Sequence, residues 1–401
     1  MRESEETAVQ RNSNHILTTH PGRLPNPTNF DEVQAARRSG DKAKFTELSL
    51  AGMKQMFDRQ KQIGIDIMSD GEFWKGRDQK FFDSRVTGIT SRPLKPGETP
   101  TLTMDLRERT SDEFKAFYAE FDRVGNAPRV GVVNPGQTSK WVITGDVKDA
   151  KTGAPQEEIA MVKQALAANG VTPENYFFPV LGPGWHDHFI FNEYYKTEEE
   201  YIYALAELSK VDFKAVADAG FMLQIDDPGL VDTWAMLSPA PTTEEYQKRC
   251  QLRIEATNWA LEGIPEDRVR FHTCWGSWHT PHVTDFPLEP LIDILLSVKC
   301  YAYSVEAADV QHELDYQVWE KRKWPEGKVY IPGVIAHKTS TVEPPELVAH
   351  RIKQYANIMG RDNVIAGVDC GVGGRCYPDI GWAKLKALAD GAAMASKDLY
   401  K

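Results

Sequence analysis

Long apolar runs are missing from this chain. None approaches the roughly 18 residues that a bilayer-spanning helix needs, so a membrane is not an expected partner. The N-terminal MRESEETAVQRNSNH is charged and polar and lacks the apolar stretch of a signal peptide, so a cytoplasmic location is expected. Cysteine is scarce. Five residues, an odd number, are spread over 401 positions, which argues against a disulfide framework. Dense Lys/Arg clusters are also missing, and the net charge is -11, so a nucleic-acid backbone would be repelled on average. A local basic pocket for a small anion is still compatible with that charge. There is no internal repeat and no low-complexity linker. No G-x-G-x-x-G follows the first strand-like run, which weakens a dinucleotide-binding reading.

What is present is a rhythm. Short apolar β-type runs end in a polar or Gly/Pro-rich loop, and a helical pattern follows. The runs are His15–Thr19, Gly64–Ser69, Arg129–Val133, Tyr176–Leu181, Phe221–Ile225, Val269–Thr273, Ala302–Val305, Val329–Ile335 and Val364–Val368. Helical patterns cover Glu198–Ala219, Thr243–Gly263, Pro287–Ser297, Pro345–Met359 and Ile380–Ser396. Strands alternating with helices imply a parallel sheet covered on both faces. The expectation is an α/β protein, a (β/α)8 TIM barrel, with a doubly wound open sheet as the rival. Residues 1–13 read as a disordered tail and 14–401 as a single barrel domain. The polar, mixed stretch of about 91–170 reads as an insertion between early strands.

In such a barrel the chemistry gathers at the C-terminal ends of strands. Here those ends carry Asp70-Gly71-Glu72, Gln224-Ile225-Asp226-Asp227-Pro228, His272-Thr273-Cys274, Glu306 and Asp369-Cys370-Gly371. His272 and Cys274 are two apart, so an extended chain points both to one face. A carboxylate from the next strand, Glu306, and a thiolate from the last, Cys370, would complete an N/S/O set suited to tetrahedral Zn²⁺. An isolated H-x-C is a weak signal, and Cys370 alone could be a small residue beside a Gly-rich turn. The specificity lies in all four sitting at strand ends. Zinc stabilises a bound thiolate at neutral pH, so such a site could present a substrate thiol as a nucleophile.

At these residues the chain resembles the C-terminal, catalytic half of cobalamin-independent methionine synthase and its shorter methyltransferase-like relatives. The matching segments are TTHPGRLPNP (Thr18–Pro27), GIDIMSDGE (Gly64–Glu72), LQIDDPGL (Leu223–Leu230), HTCWG (His272–Gly276), YSVEAAD (Tyr303–Asp309), PGVI (Pro332–Ile335) and NVIAGVDCGVGGR (Asn363–Arg375). The resemblance spans roughly Asn14 to Lys401 and is weakest between about Ser91 and Gly170. It implies a (β/α)8 barrel, a catalytic zinc held by His272, Cys274, Glu306 and Cys370, and methyl transfer to a thiol. It also implies that Glu72 and Asp226 hold the substrate's amino group, with its carboxylate near Gly22.

The chain departs from the family pattern in three places. Arg23 stands where the family has Ser after Gly22. It could clamp a different anionic group on the thiol, or turn to solvent or to Asp31. Asp227 replaces the Glu usual beside the family Asp. Only the catalytic half is present, which leaves the alkyl donor open. Trp275, Trp278, His279 and His282 could border a donor pocket or simply pack their loop. Trp185, His186 and His188 raise the same choice. His337 is either a proton donor to the leaving group or a loop histidine on the backbone. Cys376 is a spare thiol, and Cys250 and Cys300 read as core. The function expected is zinc-dependent transfer of a methyl or alkyl group from a small-molecule donor to a small-molecule thiol. The alternatives are thiol addition to an epoxide, in the manner of epoxyalkane:coenzyme M transferase, and a non-catalytic zinc-binding barrel. Homo-oligomerisation is left open.

Overall fold

The fold is that of a computed structural model, which describes residues 11–12, 14–75, 85–124, 137–150, 153–276 and 279–401. The expected strand Arg129–Val133 and Trp278 lie outside the described residues.

Two sheets organise the chain. The smaller has the order β1-β2-β4, with β1 (Val86–Pro93) antiparallel to β2 (Ser139–Asp149) and β2 parallel to β4 (Ile190–Asn192). The larger is wholly parallel, in the order β3-β5-β6-β7-β8: Phe177–Leu181, Met222–Asp226, Val269–Thr273, Ala302–Val305 and Val329–Pro332. Consecutive strands lie side by side, as βα units require. Every residue of β6, β7 and β8 is buried, as expected of strands covered on both faces.

The runs His15–Thr19, Gly64–Ser69 and Val364–Val368 form isolated parallel bridges rather than full ladders. Thr18 bridges Ala366, Met68 bridges Tyr176, Tyr330 bridges Val364 and Gly333 bridges Gly367. Ile67 N also donates to Thr18 O at 3.0 Å. The ladder is thin here because side chains take backbone positions: Thr18 N donates to Asp66 Oδ2 at 2.8 Å and not to a neighbouring strand.

The helices follow their sequence signals. Glu198–Asp218 and Thr243–Ala260 each begin with a capping box, Thr197 with Glu200 and Thr242 with Glu245. In the first, Tyr201, Ile202, Leu205, Leu208, Phe213 and Val216 are buried at helical spacing. The stretch of about 91–170 holds the end of β1, all of β2 and the helix Ala154–Asn169, which packs against the helices Lys42–Ile63 and Glu198–Asp218. Among the described residues no helix is long and apolar enough to cross a membrane.

The core divides in two. Alternation along β5, β6 and β7 sends Ile225, Phe271 and Tyr303 into the large cluster beneath the helices. A smaller cluster takes Leu17, Ile67, Phe177, Ala302, Ile331 and Ile365, with Met222 packed against it. Residues alternating with the first set carry polar groups instead, and they build the site.

Candidate metal and thiol site

Register places the polar residues of three strands side by side. Gln224 pairs with Arg270, Asp226 with His272, and His272 with Ser304. One row of the sheet therefore reads Asp226, His272, Ser304 across β5, β6 and β7. Cys274 follows β6 immediately and Glu306 follows β7.

His272, Cys274 and Cys370 come together, with one donor atom of each within 4.8 Å of the others. Cys274 Sγ donates to Cys370 Sγ at 3.3 Å. That bond holds the Cys370 thiol well below its ordinary range, helped by the nearby Arg375 charge and by His272. The same bond, with burial, pushes Cys274 up. Burial pulls the His272 imidazole down, but the Cys370 sulfur beside it outweighs burial and the net shift is upward. His272 Nδ1 meets Ser304 Oγ at 3.2 Å, while its buried Nε2 lacks a well-directed hydrogen bond. Two sulfurs and one under-satisfied imidazole nitrogen around a point are the donors that Zn²⁺ takes.

Glu306 lies beside this trio but groups with His337 and Asp369, again within 4.8 Å. Its Oε2 accepts from Trp275 N at 2.7 Å, and its Oε1 stands 2.8 Å from Lys338 Nζ. Asp369 Oδ1 accepts from the backbone of Ala307 and Ala308, 2.8 Å each, which holds the turn after Glu306. His337 is fully buried, and that burial pushes its pKa well below the ordinary histidine value.

Glu72 and Gly22 face each other. A Cβ on Gly22 would stand 1.9 Å from Glu72 Oε1, and Gly22 has φ +130°. Glu72 itself has φ 59°, with its amide donating to Asp70 Oδ1 at 2.7 Å. Asp226 Oδ1 accepts from Gln224 Nε2 at 2.6 Å. Arg23 is half-buried. Its guanidinium donates to Asn26 Oδ1 at 2.7 Å and Gly71 O at 3.4 Å, and its backbone O accepts from Gly373 N. Asp227 turns away to the loop after β3, accepting from Gly184 N at 2.9 Å, and burial raises its pKa to about 7.

The aromatic loop is packed. Trp275 is 2% exposed, its ring stacked on His312 at 3.9 Å and its indole N–H donating to Phe286 O at 2.6 Å. His279 Nε2 meets Arg375 O at 3.0 Å, and His282 pairs with Asp285. His188 contacts Thr233 Oγ1 and rests against the Trp185 ring. Cys376 Sγ donates to Val372 O at 3.6 Å, Cys250 Sγ to Leu230 O at 3.2 Å and Cys300 Sγ to Ala302 O at 3.5 Å, all within the fold.

Sequence reasoning gave no role to Gln224, which it named only as part of a strand end, or to Arg270, Ser304 and Lys338. The period of two could have found the first pair, since Gln224 stands two before Asp226 and Arg270 two before His272. Nothing local marks Lys338 as the partner of Glu306.

A parallel α/β scaffold carrying two cysteines, a histidine and carboxylates at its strand ends defines the class. No family model matches the chain. The methionine synthase of Sulfurisphaera tokodaii is 24% identical over 330 residues, covering 80% of this chain and 84% of that protein. That of Sulfolobus acidocaldarius is 22% identical over 399 residues, 96% of this chain and 94% of that protein. A solved B12-independent methionine synthase from Shewanella sp., in complex with selenomethionine, superposes with a TM-score of 0.65 at 18% identity, covering 96% of this chain and 99% of that one. The resemblance read from the motifs therefore holds across nearly the whole chain, in sequence to the short archaeal methionine synthases and in fold to the B12-independent enzyme.

Proposed function

We propose that this chain is a zinc-dependent thiol S-methyltransferase of the methionine synthase type, built on a (β/α)8 barrel. The five-stranded parallel sheet, flanked by the bridged segments at Thr18, Met68 and Val364–Gly367, supports a ring of eight parallel segments. The similarity to methionine synthases supports methyl transfer. The observation that carries the reading is the convergence of His272, Cys274 and Cys370, with Glu306 alongside.

These four residues would hold the metal. Zinc bound there would favour the thiolate form of a substrate thiol at neutral pH. Glu72 and Asp226 bind the substrate's ammonium group, and the bare backbone of Gly22 leaves room for the Glu72 carboxylate. Attack forms the new S–C bond as the bond from methyl to donor breaks, its electron pair leaving with the donor. His337 is the acid that protonates that leaving group. Trp275, by donating its amide to Glu306, keeps the carboxylate beside the donor set.

The test is metal content by elemental mass spectrometry together with methylation of homocysteine by the purified protein. About one zinc per chain and a methyl thioether product are expected. A protein that carries no zinc after reconstitution under reducing conditions would sink the reading.

A further inference from the structure

Beneath the thiol site lies a buried relay that the mechanism above does not use. Arg270 is 3% exposed and its guanidinium rests 3.7 Å from the centre of the Phe177 ring. It donates to three oxygens: Gln224 Oε1 at 2.5 Å, His20 O at 2.8 Å and Thr19 Oγ1 at 3.1 Å. Two of these belong to the first segment, just before Gly22, and the third to β5.

The contact with Gln224 has a directional consequence. Arginine can only donate, so the Gln224 amide must present its oxygen to Arg270. Its NH₂ is thereby turned the other way, where it donates to Pro21 O at 2.5 Å and Asp226 Oδ1 at 2.6 Å. One amide thus ties the peptide preceding Gly22 to the carboxylate of Asp226. The flipped amide would set its oxygen against a carboxylate and a carbonyl, so Arg270, Pro21 and Asp226 all select the one orientation, and losing Arg270 removes the contact that anchors the oxygen end.

We propose that Arg270 and Gln224 are positioning residues that set the distance and orientation between the two halves of the ammonium-binding pocket, Asp226 on one side and the Gly22–Glu72 contact on the other. Among the described residues the pair's side-chain hydrogen bonds run to Thr19, His20, Pro21 and Asp226, and not to the proposed metal ligands. It acts through Asp226, and so makes the enzyme selective for thiols that carry a primary amine. This rests on the thiol-transferase reading and deepens it.

The experiment is calorimetric titration of zinc-loaded protein with L-homocysteine and, separately, with 4-mercaptobutanoate, the same thiol acid without the amine. Wild type is compared with Gln224→Met and Arg270→Met, and zinc content and melting temperature are recorded for each. Gln224→Met should weaken homocysteine binding by about tenfold or more, the scale of one lost hydrogen bond to a charged group. 4-Mercaptobutanoate should change by less than about threefold. Arg270→Met should show the same split, and if it fails to fold Gln224→Met decides alone. Equal loss for both thiols means general damage to the site and overturns the proposal. So does unchanged homocysteine binding, or a wild type that binds both thiols equally well. Wild-type protein that binds neither thiol overturns the thiol-transferase reading itself, and the relay's role with it.

Discussion

Glu72 Oε1 occupies the space where any side chain on Gly22 would begin: an added Cβ would sit 1.9 Å away. Gly22 also holds φ +130°, a region that other residues rarely enter. The first segment and the loop carrying Glu72 therefore meet only because position 22 is bare. Gly22→Ala should push the carboxylate aside and cost about 1–3 kcal/mol of stability. Thiol binding should fall by at least about tenfold while zinc content stays near wild type, which calorimetry and elemental analysis check side by side.

Cys370 is the last of the four proposed metal donors along the chain. Cys370→Ser should lose most of the bound zinc and all detectable thiol methylation. Circular dichroism should leave the fold unchanged, because the residue is only half-buried at the mouth of the sheet. Full zinc occupancy in this variant would remove Cys370 from the ligand set.

His312 bonds Asp285 at 3.2 Å and Asp315 at 2.9 Å, and those bonds with the Glu306 charge outweigh burial to raise its pKa to about 10. A raised pKa stabilises the protein fully below the unfolded value of about 6.5 and loses that stabilisation as pH climbs through 10. Burial would raise Asp285, but its bonds from His282 and His312 pull it down to about 2, so its contribution is present above about 4 and is lost as pH falls through 2. Melting temperature should therefore hold from pH 4 to 6.5 and decline toward pH 10. His312→Gln should be less stable at pH 6 by on the order of 2–4 kcal/mol and should flatten the alkaline decline. An unaltered alkaline slope in that variant would assign the decline to other groups.

Asp369 Oδ1 takes the amides of Ala307 and Ala308. Asp369→Ala would strand two buried N–H groups at about 1–3 kcal/mol each, and denaturant midpoints should fall accordingly. Asp369→Asn keeps an acceptor oxygen and should recover most of that loss. Equal midpoints for the two variants would mean that the carboxylate charge, not its geometry, holds the turn.

Sequence alone carried the alternation of strand and helix, because apolar periods of two and of 3.6 are local properties of the chain. It also put His272 and Cys274 on one face, since residues two apart in an extended chain share a face. What it left undecided depends on register and on contacts between distant segments. Only the tertiary structure hydrogen-bonds Cys274 Sγ to Cys370 Sγ, sets Glu306 against Lys338 and turns the Gln224 amide toward Arg270. Each of these relations joins residues from different elements. Partners so far apart in the chain leave no local pattern that would pair them.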